Sequence, residues 1–196
     1  MASDRNRVPV AEAFAAVPRA PFLPATERTL TECNVPVAIG HGQTNSQPST
    51  VADMLELLDV RLGDRVLDLG AGSGWTTALL SVLVGAQGRV SGVERHRGLV
   101  DTAQTALRSV DCENAEIVTA APGQLGLPEA GPFDRILVSA GAEEIPDQLL
   151  DQLEIGGIMV IPVQGQMLKV IRDGRGTDEV TITRHGLYRF VPLITE

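Results

Sequence analysis

Val66-Leu67-Asp68-Leu69-Gly70-Ala71-Gly72-Ser73-Gly74 joins an apolar run, with an acid near its end, to three glycines alternating with small residues. The segment that follows, Trp75 to Val84, has helical period, so the stretch reads as a strand, a tight turn and the start of a helix. Glycines at such a turn let the backbone bend sharply and approach a ligand that a Cβ would repel. The spacing is Asp-x-Gly-x-Gly-x-Gly. The dinucleotide pattern Gly-x-Gly-x-x-Gly fails here, because the position needed for its last glycine is Trp75.

Working outward, Val90-Ser91-Gly92-Val93-Glu94 is a second apolar run, and its terminal acid stands twenty residues after Gly74. An acid at the end of the second strand takes both hydroxyls of a ribose in nucleoside-binding α/β folds. Asp68 can accept hydrogen bonds or balance a cationic amino-acid moiety, and it is poor company for a pyrophosphate. Taken singly, Asp68 reads as a helix N-cap and Glu94 as a solvated strand-end charge. Their joint spacing favours S-adenosylmethionine over a dinucleotide.

Beyond these runs the chain continues to alternate apolar segments with helical ones. Strands are predicted over 65–69, 89–93, 116–119, 135–139 and 158–162, and helices over 75–84, 99–110 and 145–153. Alternation of this kind gives a doubly wound, mostly parallel α/β sheet. Met167 to Arg172 and Val180 to Thr183, separated by Asp173-Gly174-Arg175-Gly176, predict a C-terminal antiparallel hairpin. Upstream, a loop from Asn34 to Gln47 leads into a helix that Pro48 opens, with Val51, Met54, Leu55 and Leu58 on one face. One domain over 1–196 is expected, with an N-terminal substrate-side segment (1–50), a nucleoside-binding core (51–163) and C-terminal strands (164–196). Ligands bind beyond the carboxyl ends of such strands, so Ser139 and Ala140 should border the site.

Composition narrows the class. With 25 acidic and 16 basic residues the net charge is −9, which disfavours nucleic acid and anionic membranes as partners. Cys33 and Cys112 have no CxxC or Cys/His spacing, so neither a disulfide framework nor a metal site is indicated. The N-terminus lacks an apolar signal region, and no apolar stretch approaches the ~20 residues of a membrane span. A cytoplasmic monomer is the expectation.

Pro21-Phe22-Leu23-Pro24, Ile39-Gly40-His41-Gly42-Gln43-Thr44-Asn45-Ser46-Gln47-Pro48, the nucleoside motifs and Arg189-Phe190-Val191-Pro192-Leu193 together resemble the protein-L-isoaspartate O-methyltransferase family. The resemblance runs from the proline segment to the end of the chain, and the Gly-His-Gly-Gln-Thr-x-Ser-Gln-Pro string is its restrictive part. It implies a Rossmann-like class I methyltransferase that transfers a methyl group from S-adenosylmethionine to an isoaspartyl α-carboxylate in a damaged protein or peptide, leaving S-adenosylhomocysteine and using no metal. It also implies Ser46 as the active-site serine, with Thr44, Gln43, Ile39 and Gly40 on the substrate side. On the cofactor side it implies Gly70, Gly72 and Gly74 as the loop and Glu94 as the ribose-binding acid, and Asp68, Ala71, Ser73, Arg95 and Ser139 complete the expected cofactor-binding set.

A plainer role for Ser46 is the N-cap of the Pro48 helix. His41 reads as loop packing, and His96 and His185 as surface residues. The chain departs from the family's pattern at Ala121-Pro122-Gly123, where an Asp usually faces the adenine amine and proline offers neither carboxylate nor N–H. Asn45, Ser49 and Thr50 replace more apolar or aromatic choices, which points the peptide groove toward another carboxylate. The rival readings are a specialised peptide-carboxylate methyltransferase of natural-product maturation, a degenerate nucleoside-binding module and a nicotinamide oxidoreductase.

Overall fold

The computed structural model describes residues 6–194; the outermost parts of the two terminal segments, 1–5 and 195–196, lie outside the described residues. Helix α1 (Val10–Ala16) and two 3-10 turns (Ala20–Phe22 and Ala25–Leu30) precede an antiparallel hairpin of β1 (Val37–Gly40) and β2 (Gln43–Asn45). The segment expected to be an irregular loop therefore carries strands. They are too short, and too irregular in register between Ala38 and Gly40, for a period of two to appear in the sequence. Their turn is Gly40-His41-Gly42, all three at positive φ, a conformation that glycine adopts readily.

Helix α2 (Pro48–Leu58) begins at the proline and buries Val51, Met54, Leu55 and Leu58, as their spacing predicts. Its N-cap is Gln47, without a side-chain cap, so Ser46 does not serve that function. The core follows as β3 (Arg65–Leu69), α3 (Trp75–Val84), β4 (Arg89–Glu94), α4 (Arg97–Ser109), β5 (Ala115–Thr119), β6 (Phe133–Val138), α5 (Asp147–Asp151), β7 (Leu153–Val163), β8 (Gln166–Arg172) and β9 (Val180–Leu187). Among the described residues, β3 to β9 form one sheet in the order β5-β4-β3-β6-β7-β8-β9. Pairing is parallel from β5 through β7 and antiparallel for β8 and β9.

Successive strand residues alternate between two cores. Val66, Val90, Ile117, Leu137 and Val160 pack with α1 to α4, whereas Leu67, Ile136, Val138, Met159 and Ile161 pack with α5. Full burial of each such side chain stabilises the fold by about 1.5–3 kcal/mol. The second face is thinly helical, because α5 spans five residues instead of the expected nine and the segment from Ala120 to Gly131 covers part of it with a single 3-10 turn, Pro128–Ala130. Strand β7 starts five residues earlier than expected and shifts register around Gly156 and Gly157, where the apolar pattern is interrupted.

The sheet order decides where a ligand can bind. β4 and β5 lie on one side of β3, and β6 and β7 lie on the other, so the crossovers diverge above the carboxyl ends of β3 and β6. A crevice at such a reversal is the usual ligand site of an open parallel sheet.

Candidate active site

The glycine turn forms the floor of that crevice. Gly70, Gly72 and Gly74 have φ of 82°, 55° and 88°. A Cβ on Gly74 would lie 2.9 Å from Ile117 Cδ1 and 3.2 Å from Ala103 Cβ, so a side chain there would displace α3 from its neighbours. At Gly72 the added atom would press on Ile39 Cδ1 at 3.2 Å. Ile39 thus packs the hairpin directly onto the cofactor loop. Glu94, 5% exposed, is held at both oxygens: Gly72 N–H donates to Oε2 (3.0 Å) and His96 N–H donates to Oε1 (2.8 Å). It is a fixed acceptor, not a solvated charge.

Asp68 lies lower than expected. It is fully buried, accepts a hydrogen bond from Thr77 Oγ1 (2.7 Å) through Oδ2, and leaves Oδ1 without a partner among the described residues. Burial pushes its carboxyl up to about 7; the Thr77 hydrogen bond opposes this, and the charge of Glu94 adds to it. Asp68 does not border the crevice. It acts beneath the glycine turn, tying β3 to α3.

The segment that descends from the hairpin into α2 is anchored by a residue not anticipated from the sequence. Arg19, 4% exposed, donates to the carbonyls of Cys33 (3.0 Å), Val35 (3.0 Å) and Ser46 (3.0 Å), and to Asn45 Oδ1 (2.8 Å). Its guanidinium also faces the Trp75 ring at 5.2 Å. Burial lowers its pKa. Asn45 is buried at the crevice wall and donates to Ser73 Oγ (3.1 Å), so its amide reaches toward the glycine turn. At the hairpin tip His41 stacks on His96 with ring centroids 4.8 Å apart, so His96 is a packing partner instead of a free surface residue.

The crevice measures about 1050 Å³. A single drug-sized ligand occupies a pocket of roughly 300–1,000 Å³, so this one has room for a nucleoside and part of a peptide chain. Ser46, Thr44 and Gln43 border it from the substrate loop, and Gly70, Ala71, Gly72, Ser73, Glu94, Arg95, Ser139 and Ala140 from the sheet ends. Ile39, Gly40, Asp68 and Gly74 are not part of this lining; Ile39 and Asp68 are buried beside it, and Gly40 is exposed at the hairpin turn. Beyond Glu94 the wall is Ala120-Ala121-Pro122-Gly123, which carries no carboxylate.

The opposite wall is the C-terminal return from Gly186 to Ile194, held by Gly141 N–H to Val191 O (2.8 Å) and Leu193 N–H to Gly141 O (2.7 Å). Tyr188 Oη donates to Asp53 Oδ2 (2.9 Å), joining that return to α2; burial and the nearby Asp53 raise the phenol's pKa. The Arg189 to Leu193 motif forms part of this wall, and nothing in the sequence placed it there or paired Tyr188 with Asp53.

The donor set fits a sulfonium nucleoside. Glu94 offers a rigid anion one strand from the glycine cradle, and the turn admits a ligand against bare backbone. Comparison with known proteins agrees. A family model described as protein-L-isoaspartate(D-aspartate) O-methyltransferase matches residues 3–196. A protein-L-isoaspartate O-methyltransferase of Methanopyrus kandleri is 44% identical over 189 residues, covering 95% of this chain and 84% of the relative. One from Ignicoccus hospitalis is 40% identical over 196 residues, covering 97% and 91%. In fold, the chain is similar to a Plasmodium falciparum protein described as a protein-L-isoaspartate O-methyltransferase in complex with S-adenosyl-L-homocysteine, at a TM-score of 0.83 and 24% identity, covering all of this chain and 93% of that one. The Rossmann-like sheet, the glycine turn with the buried acid beside it, and the matches along nearly the whole length lead to one conclusion: the chain belongs to the S-adenosylmethionine-dependent protein-L-isoaspartate O-methyltransferase family.

Proposed function

We propose that this enzyme methylates the α-carboxylate of L-isoaspartyl residues in proteins or peptides, with Ser46 and Thr44 orienting the acceptor and Glu94 and the glycine turn holding the donor. The observation that carries the reading is the shared crevice of Ser46 and Glu94. S-adenosylmethionine, held by Glu94 and the glycine turn, would supply a methyl carbon made electrophilic by its sulfonium, open to a carboxylate oxygen in line with the C–S bond whose electron pair would stay on sulfur. No proton moves. A peptide carboxylate has an ordinary pKa of about 3.5–4, so the acceptor arrives ionised and the residues around it need not include a general base.

What the chain must provide is placement, which can lower the barrier by ~7–11 kcal/mol when the reacting atoms are held in line. Ser46 suits this work. Its carbonyl is fixed by Arg19, and its hydroxyl has no partner among the described residues, so it is free to donate to a carboxylate. Gln43 and Thr44 continue the same wall, while Arg95 and Ser139 flank the donor side. Asn45 also borders the crevice, but its amide oxygen and nitrogen are already engaged by Arg19 and Ser73.

The test is incubation with methyl-labelled S-adenosylmethionine and paired peptides that differ only in an isoaspartyl or aspartyl linkage. Label should enter the isoaspartyl peptide alone, across unrelated flanking sequences. Equal labelling of both linkages, or labelling confined to one dedicated peptide, would replace this reading with a different carboxylate specificity.

A further inference from the structure

Asn45 connects the substrate loop to the cofactor loop through a chain of hydrogen bonds whose direction is determined by its first member. A guanidinium has donors and no acceptor, so the Asn45 amide must turn its oxygen to Arg19 Nε (2.8 Å). The amide nitrogen is thereby directed the other way, and it donates to Ser73 Oγ (3.1 Å). With that lone pair engaged as an acceptor, the Ser73 hydroxyl proton has to find an acceptor elsewhere, and none is present among the described residues. Ser73 is 8% exposed and borders the crevice between Gly72 and Gly74.

We infer that Asn45 is a positioning residue: by fixing the polarity of the Arg19–Asn45–Ser73 chain, it aims the Ser73 hydroxyl as a donor at the carboxylate of the cofactor's amino-acid moiety. This rests on the cofactor reading above. The carboxylate is the anionic group of that ligand, and the crevice already presents the anionic Glu94, so the ligand's anion needs donors of this kind. Because Asn45 adjoins Ser46, and Arg19 also holds the Ser46 carbonyl at 3.0 Å, the same chain sets both loops in one arrangement.

Asn45→Asp separates direction from packing. The aspartate keeps an acceptor, now charged, for Arg19, but it has no donor for Ser73, so the serine proton turns toward it and away from the crevice. Titration calorimetry should show S-adenosylhomocysteine binding weakened about 10- to 100-fold, the range for a hydrogen bond to a charged group. Binding of 5′-methylthioadenosine, which lacks the amino-acid moiety, should stay within about twofold of wild type, a contrast that general disorder of the loop would not produce. Ser73→Ala should lose as much affinity for S-adenosylhomocysteine as Asn45→Asp, and adding Asn45→Asp to Ser73→Ala should cost little more. Unchanged S-adenosylhomocysteine binding by Asn45→Asp, equal weakening for both ligands, or additive losses in the double variant would each overturn the inference. Failure of the wild-type protein to bind either compound would instead remove the cofactor reading on which it stands.

Discussion

Glu94 and Ser46 show how differently two polar residues bordering one crevice are prepared. The Glu94 carboxylate is aimed by two backbone N–H donors before any ligand arrives, so little freedom remains to be lost on binding. Ser46 is fixed through its carbonyl, and in the proposed reaction its hydroxyl is left for the acceptor. Glu94→Ala should therefore weaken S-adenosylhomocysteine binding by tenfold or more, in line with ~1.5–3 kcal/mol for a charge-assisted hydrogen bond. Ser46→Ala should lower kcat for an isoaspartyl peptide while cofactor affinity stays near wild type. Calorimetry paired with steady-state kinetics separates the two, and an exchange of these phenotypes would reverse the assignment of the loops. The positions of both residues were legible from their motifs; the partners of the Asn45 amide were not, because a side chain's direction at the end of a three-residue strand is set by what surrounds it.

At the level of elements, the β1–β2 hairpin is the least self-sufficient part of the site. Two strands of three and four residues are marginal alone, and this hairpin depends on Ile39 against Gly72, His41 against His96, and above all Arg19. Removing the guanidinium would leave the buried Asn45 carbonyl and amide oxygens without this donor, at ~1–3 kcal/mol for each unsatisfied group, and would release the half-buried carbonyls of Cys33, Val35 and Ser46. Arg19→Met should thus destabilise the protein by about 3 kcal/mol or more in chemical denaturation, and should open 34–47 to limited proteolysis. If the segment resists protease as well as wild type does, Arg19 is not its anchor. Helices such as Trp75–Val84 were visible in the sequence because ten residues repeat a period. A buried arginine gripping a loop up to twenty-seven residues further along has no such signature.

For the molecule as a whole, burial of Asp68 links stability to pH. Its carboxyl titrates at about 7 in the folded chain against an ordinary 3.8, so between these values the folded state holds more proton than the unfolded state. The sign follows: this group's contribution to stability falls as pH rises from about 4 to 7 and is flat on either side, with a slope of at most ~1.4 kcal/mol per pH unit. Asp68→Asn removes the titration, so its stability relative to wild type should increase across that window. Denaturant midpoints measured from pH 4 to 8 check this; a difference independent of pH would mean that Asp68 is ionised throughout.

The order of strands and helices from α2 onward, the glycine turn, the acid ending β4 and the string that leads into α2 are readable in the amino-acid sequence alone, because each is a local pattern whose spacing expresses backbone geometry. Folding in three dimensions decided the rest. It buried Asp68 under the turn instead of in the crevice, brought Tyr188 to Asp53 across 135 positions, and drew Arg19, Asn45 and Ser73 into one directed chain. These outcomes depend on which groups are removed from water together and on which donors remain to meet them, and neither is written in the spacing of residues along the chain.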